Sequence, residues 1–377
     1  MSDRIQRYLK EHQDLETPCL IVDLDVVEQA YLSLRDYLPL ARIFYAVKAN
    51  PEARVVERLC GVGSSFDTAS RGEIELCMGQ GVPADRISFG NTIKKEKDIA
   101  WAYTRGVKLF AFDSEVELQK LAKVAPGARV FCRVLVDCEG AEWPLSKKFG
   151  CSPEMARDLL IKAKKWGLDP YGLSFHVGSQ QTNVEQWDSA VGRTAQLFFA
   201  LQQDGVELKM INLGGGFPAK YRAEVPGVKD YALAVMRAMT KHFGNDLPEI
   251  IIEPGRSMVG DAGVLQSEVV LISKKDVNDK KRWVYLDVGK FGGLAETMDE
   301  AIKYRFRTKL DGRKAGPVVI AGPTCDSADI LYEKTEYKMP LDLKVGDKVE
   351  ILATGAYTTS YSSVNFNGFP PLRTICI

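Results

Sequence analysis

Short, unbroken apolar runs recur along the first two-thirds of the chain, each bounded by polar or turn-forming residues. They fall at "IFYAV" (43–47), "SSFD" (64–67), "ISFG" (87–90), "KLFAF" (108–112), "RVFCRVLV" (129–136), "YGLSFHV" (171–177), "LKMINL" (208–213) and "EIIIE" (249–253). Runs this short and this apolar suit strands buried on both faces, as in a parallel sheet. Helical periods lie between them. "SEVELQKLAKV" opens with Ser114 and Glu117 in capping-box spacing, and "PGA" follows as a stop. In "NVEQWDSAVGRTAQLFFALQQ" the apolar Trp187, Val191, Ala195, Phe198 and Leu201 share one helical face. Strand and helix in alternation predict an α/β fold, a (β/α)8 TIM barrel. The weak runs "SSFD" and "ISFG" leave an open, doubly wound sheet as the alternative at this point.

After Glu253 the texture changes. "VLQSEVVLIS", "RWVYLDVG", "PVVIAG" and "DKVEILAT" are strand-like runs separated by Gly, Pro and Asp turns, with few helical periods. They predict a smaller, C-terminal, mostly antiparallel β domain. The expected division is a barrel over 24–256, with 1–23 plus 257–377 forming a β-sandwich or β-barrel-like domain. "TPCLIVDL" near the start either adds a strand to that domain or leads into the barrel.

The bulk numbers narrow the function classes. Formal charge is zero in 377 residues, which argues against nucleic acid or an anionic membrane as the main partner. No run approaches the ~18 apolar residues of a membrane span. The charged opening "MSDRIQRYLKEHQ" has no apolar core of the kind a secretory signal needs. The eight cysteines form no CxxC pair, which fits reduced thiols and a cytoplasmic location. The three histidines, His12, His176 and His242, sit in no ligand-like cluster, so no metal is expected.

In a barrel of this kind chemistry occurs at the C-terminal ends of the strands. The first strand delivers Lys48, the second Asp67, the fifth Arg133 and the sixth His176. The seventh runs into Gly214, Gly215 and Gly216, and the eighth into Glu253, with Arg256 just beyond. Each alone has an ordinary structural explanation: a solvated strand end, a helix cap, a hydrogen-bonded core imidazole, a tight turn. Together they would line one mouth. Glycine-rich backbone with Ser179 and Arg256 offers donors for a phosphate. A lysine amine can condense with an aldehyde. A carboxylate can keep a pyridine nitrogen protonated, and an imidazole can lie flat on its ring. Phosphate, aldehyde and pyridine coexist in pyridoxal 5'-phosphate.

The motifs "YAVKANP", "FDTAS", "HVGSQ", "GGGFP", "EPGR", "GPTCDSAD", "GAYT" and "FNGF", in this order over about 17–369, resemble the ornithine/diaminopimelate/arginine decarboxylase family, the fold-type III enzymes that use pyridoxal phosphate. The resemblance implies an alanine-racemase-like barrel plus a β domain. It implies that Lys48 carries the cofactor, His176 stacks on its ring and Glu253 pairs with its ring nitrogen. Ser179, Gly214 to Gly216, Arg256 and Tyr357 would hold the phosphate, with Asp67 and Arg133 near Lys48. It further implies a homodimer with shared sites, Cys325 and Asp326 serving the neighbouring subunit's substrate and Cys325 acting as proton donor. Asp326 suits a distal ammonium, which points to L-ornithine, decarboxylated to putrescine, with L-lysine one methylene longer. A second acidic contact would come from Glu296, Asp299 or Glu300. The alternatives on this fold are a meso-diaminopimelate decarboxylase, an amino-acid racemase, disfavoured by a glutamate at position 253, and a non-catalytic regulator similar to the antizyme inhibitors. The segment "CEGAEWPLSKKFG" (138–150) reads as a mobile loop near the mouth.

Overall fold

The structure is a computed structural model that describes residues 1–136 and 148–377, and the backbone alone at 141–143. Most of the 138–150 segment therefore lies outside the described residues. The chain divides into two compact units, one of residues 28–218 and 225–257, the other of 1–27, 219–224 and 258–377.

The first unit is a closed barrel of eight parallel strands, each within a run expected from the sequence or at its edge. They are Ala41–Ala46, Ser65–Thr68, Ile87–Phe89, Leu109–Phe112, Arg129–Arg133, Asp169–Ser174, Met210–Asn212 and Glu249–Ile252. Closure is explicit, because the eighth strand pairs with the first from Ile250↔Ala41 to Ile252↔Ile43. That removes the open-sheet alternative. Phe44, Ala111, Phe131, Met210 and Ile251 fill one layer of the interior, which makes it a packed core rather than a pore. Helices cover the outside, among them Arg71–Gly79, Glu96–Thr104, Glu115–Val124 and Gln186–Gln203.

Two details differ from the sequence reading. The first strand stops at Ala46, and Lys48 sits inside a short 3-10 turn, Val47–Ala49, instead of on the strand. The Tyr45 hydroxyl donates to the Asn50 carbonyl at 2.9 Å and so pins that turn. The sixth strand ends at Ser174, which leaves His176 two residues past it. Ser114 caps its helix as expected, accepting from the Glu117 amide at 3.4 Å. Glu117 nevertheless points inward, towards Lys94.

The second unit is built on one eight-stranded sheet. Its path runs Arg305–Thr308, Lys348–Leu352, Gly263–Ser273, Arg282–Leu286, Ala315–Ala321, Ile330–Pro340, with one parallel neighbour pair in that series. Cys19–Val22 joins the sheet antiparallel to Gly263–Ser273, so "TPCLIVDL" supplies a strand here. The sequence reading missed Arg305–Thr308, Ile330–Pro340 and Arg373–Cys376. Their apolar positions are diluted by charges on the exposed face, as in "ILYEKTEYKMP". No helix among the described residues is long and apolar enough to cross a membrane.

Candidate active site

The C-terminal ends of the barrel strands bring together most of the residues singled out from the sequence. Lys48 Nζ lies 3.9 Å from Asp67 Oδ2. The Asp67 side chain is only 5 % exposed while that of Lys48 is 48 % exposed, so the carboxylate is fixed and the amine is presented outward. Ser88 Oγ donates to Asp67 Oδ1 at 3.1 Å. Burial raises the Asp67 pKa, against the pull of Lys48, the Ser88 bond and Arg133.

Glu253 follows the eighth strand. It keeps some contact with solvent at the mouth, but its carboxyl group is enclosed by protein on nearly every side. Burial and the charge of Asp67 push its pKa up to about 7, opposed by Lys48, the Asn212 bond and Arg133. Asn212 organises this corner. Its Nδ2 donates to Glu253 Oε1, and its Oδ1 accepts from the Gly214 amide at 2.9 Å. The Glu253 amide in turn donates to the Gly214 carbonyl at 2.8 Å. Sequence reading passed over Asn212 because it lies inside the run "LKMINL" and belongs to none of the motifs.

His176 Nδ1 accepts from the Gly178 amide at 3.0 Å, which leaves Nε2 to carry the proton of a neutral ring. Burial, Arg133 and Lys48 hold its pKa well below the ordinary value, so the ring is an uncharged plate. Gly214, at φ +66°, and Gly216, at φ +101°, adopt a backbone that other residues rarely accept. A Cβ at Gly215 would lie 2.6 Å from the Glu253 carbonyl and 3.4 Å from His176 Nε2. Bare backbone therefore lines this wall. Beside it the buried Arg256 donates from Nε and Nη2 to Ser179 Oγ, at 3.3 and 3.1 Å.

The second unit holds the remaining candidates. Cys325 is exposed, and its amide donates to Asn367 Oδ1 at 2.9 Å. Asp326 Oδ1 accepts from the Ala328 amide at 2.8 Å. The loop they share is gathered by Asp329, which the sequence did not single out. Its buried carboxylate accepts from the Lys290 amide at 2.7 Å and from Thr324 Oγ1 at 2.7 Å. Tyr357 is half-buried at φ +54°.

The three acidic candidates after Gly293 do not share a helical face, because the 3-10 segment Ala295–Glu300 is broken at Met298 and Asp299. Glu296 is buried, Asp299 is exposed, and Glu300 accepts from the amides of Glu333, Lys334 and Thr335 at 2.8, 2.7 and 2.6 Å. Burial alone would raise the Glu300 pKa, but those bonds hold it at about 2. A pKa below the unfolded value gives stability that is complete above the unfolded pKa and is lost as pH falls through the folded one. Glu300→Ala is therefore expected to cost about 1–3 kcal/mol at pH 7, because three amides lose their acceptor, with a smaller deficit near pH 2. Urea unfolding at the two pH values measures it; an unchanged midpoint at pH 7 would show that the bonds contribute nothing.

The constellation fits a flat, phosphorylated pyridine aldehyde. Arg256, Ser179 and the glycine backbone suit the phosphate, the uncharged His176 suits a ring face, Glu253 suits a ring N–H, and Lys48 suits the aldehyde. Comparison with known proteins agrees. Residues 24–260 match the family described as "Pyridoxal-dependent decarboxylase, pyridoxal binding domain". The chain is 36% identical over 357 residues to the lysine/ornithine decarboxylase of Selenomonas ruminantium, covering 94% of this chain and 88% of that one. It is 34% identical over 367 residues to the ornithine decarboxylase of Mus musculus, covering 93% and 78%. A crystal structure of SrLDC in complex with PLP and cadaverine matches with a TM-score of 0.89 at 33% identity, covering 100% of this chain and 94% of that one. Pyridoxal 5'-phosphate is the cofactor, and the chain belongs to the family of pyridoxal-dependent decarboxylases that act on basic amino acids.

Proposed function

We propose that the protein decarboxylates L-ornithine to putrescine and carbon dioxide, accepts L-lysine to give cadaverine as a second reaction, and works as a cytoplasmic homodimer. The observation that carries the reaction type is Glu253, an enclosed carboxyl group in the corner set by Asn212 and Gly214, at the end of the strand that pairs with the one leading to Lys48. The cofactor, when bound, supplies an electron-withdrawing ring that stabilises the carbanion left as carbon dioxide departs.

The chain's own residues prepare that event. Lys48 would hold the cofactor through its side-chain amine until substrate binds. Asp67 keeps the Lys48 ammonium oriented, and Arg133 adds positive charge beside them. Glu253 holds a proton at the ring nitrogen, where an arginine would discourage a full carbanion and favour racemisation. His176 covers one ring face and excludes water from it. Arg256, Ser179 and the glycine wall bind the phosphate. Cys325 returns a proton to the α-carbon, and Asp326 receives the distal ammonium, both serving the site of the neighbouring subunit.

Ornithine and lysine differ by one methylene, which a pocket discriminates by ~1–3 kcal/mol. A competition assay with ornithine, lysine, arginine and meso-diaminopimelate should release carbon dioxide from ornithine first and lysine second. Release mainly from arginine or diaminopimelate would refute the substrate assignment, and D-ornithine without carbon dioxide would refute the reaction type. Asp326→Ala should lower kcat/KM for ornithine about 100-fold, by loss of a charge-assisted bond, while cofactor affinity changes less than threefold. Equal losses in both would remove Asp326 from substrate binding.

A further inference from the structure

The barrel unit contains a buried lysine that the mechanism above does not use. Lys94 lies in the loop between the third strand and the helix Glu96–Thr104, and its side chain is 0% exposed. Its ammonium donates to the Asn91 carbonyl at 2.7 Å and to the Ala111 carbonyl at 2.6 Å. It pairs with Glu117 Oε1 at 3.0 Å. One cation thus joins the loop after the third strand, the fourth strand and the following helix. Glu117 also pairs with Lys120, whose ammonium donates to the Lys94 carbonyl. Asp113 is the further charge that bears on Lys94.

The loop that Lys94 fastens is the wall behind Asp67. The Gly90 amide donates to the Thr68 carbonyl at 2.9 Å, and Asn91 Nδ2 donates to the Ala69 carbonyl at 3.2 Å. A Cβ at Gly90 would lie 1.8 Å from Asp67 Oδ1, so the carboxylate rests directly against this backbone. Any slack at residues 90–91 is slack in the seat of Asp67. An apolar pair of similar volume in place of such a buried ion pair is often neutral for stability, so the geometric role of Lys94 can be tested apart from folding.

We propose that Lys94 is a positioning residue for the Asp67–Lys48 pair, acting through the loop of residues 90–94. The inference rests on Asp67 and Lys48 lying at the cofactor, as proposed above. Its test compares three holoenzymes with wild type: Lys94→Met, the double variant Lys94→Met/Glu117→Leu, and the control Lys120→Met. The double variant removes both buried charges and so answers the objection that Lys94→Met merely strands a carboxylate. Lys120→Met disturbs Glu117 and removes one bond to the Lys94 carbonyl, but leaves the Lys94 ammonium on the Asn91 and Ala111 carbonyls.

In the first two variants, amide exchange at Gly90 should quicken about tenfold or more, since its bond to the Thr68 carbonyl loses its fastening. The pH midpoint of the bound cofactor's visible absorbance should move by about half a unit or more, because Asp67 sets the charge felt by Lys48 beside Arg133, Glu73 and Glu253. The kcat should fall about tenfold with KM within twofold, the pattern of a misplaced group and not a lost contact. Lys120→Met should shift each of the three by less than half as much. If both Lys94 variants match wild type in exchange and midpoint, or if Lys120→Met shifts them equally, Lys94 has no positioning role. If wild type itself shows no cofactor absorbance that depends on Lys48, the reading of the site fails and this inference goes with it.

Discussion

Replacing Lys48 by alanine should lower decarboxylation by at least ~10³-fold and remove the visible absorbance of protein-bound cofactor, because the amine that condenses with the aldehyde is gone. Folding should survive. The Lys48 side chain is about half-exposed, and its turn is held by the Tyr45 hydroxyl and by Asn50, whose Oδ1 accepts from the Glu52 amide at 3.1 Å. The buried Asp67 loses the ammonium at 3.9 Å and becomes harder to ionise, so the defect should deepen as pH rises. The same variant tests subunit sharing. If Cys325 serves the neighbouring site, mixing Lys48→Ala with Cys325→Ala gives mixed dimers with one intact site of two. With free exchange about half the dimers are mixed, so about a quarter of wild-type activity should return. No recovery after demonstrated exchange would mean that each chain completes its own site. An absorbance band and turnover that persist in Lys48→Ala would overturn the assignment of the whole mouth.

The barrel was legible in the sequence because a strand buried on both faces has no polar alternation to confuse it. "IFYAV" and "EIIIE" show this plainly. Strand ends were less legible, since apolar residues continue into the turns: Val47 is buried beyond the end of the first strand, and Phe175 and Val177 are buried beyond the sixth. The second unit was harder. Its strands are half-exposed, and charges on one face break the runs, which hid Arg305–Thr308 and Ile330–Pro340. At the site, motifs marked the residues proposed to meet a ligand, while several side chains that hold them lie outside any motif. Asn212, Ser88 and Lys94 act through bonds to groups distant in sequence, and no local pattern announces such a bond. Glu300 shows the reverse case. It looked like a contact for substrate by its place after Gly293, while its carboxylate is occupied by three backbone amides.

Glu253→Gln should separate catalysis from stability in opposite directions. Decarboxylation should fall about 100-fold or more, because an uncharged amide cannot hold a proton on the ring nitrogen in the transition state. The cofactor-free protein should become more stable at pH 8. Burial and Asp67 move Glu253 from 4.5 to about 7, so the folded barrel prefers it protonated. For a pKa raised by folding, the stabilising effect is complete below the unfolded value and is lost as pH rises through the folded one. Wild type therefore loses stability between about pH 4.5 and 7 and stays lower above that, by ~1–3 kcal/mol once residual solvent contact at the mouth is allowed for. Glutamine has no proton to lose and still offers an oxygen to Asn212, so its advantage should grow across that window and level off above it. Urea midpoints of both cofactor-free proteins at pH 4.5, 6 and 8 measure this. Pyridoxal phosphate should then reverse the order at pH 8, because its ring N–H supplies the positive partner that the Glu253 carboxylate lacks and that an amide does not need. A glutamine variant less stable than wild type at every pH, or a difference that ignores pH, would show that Glu253 is seated comfortably as an anion and is not poised for that proton.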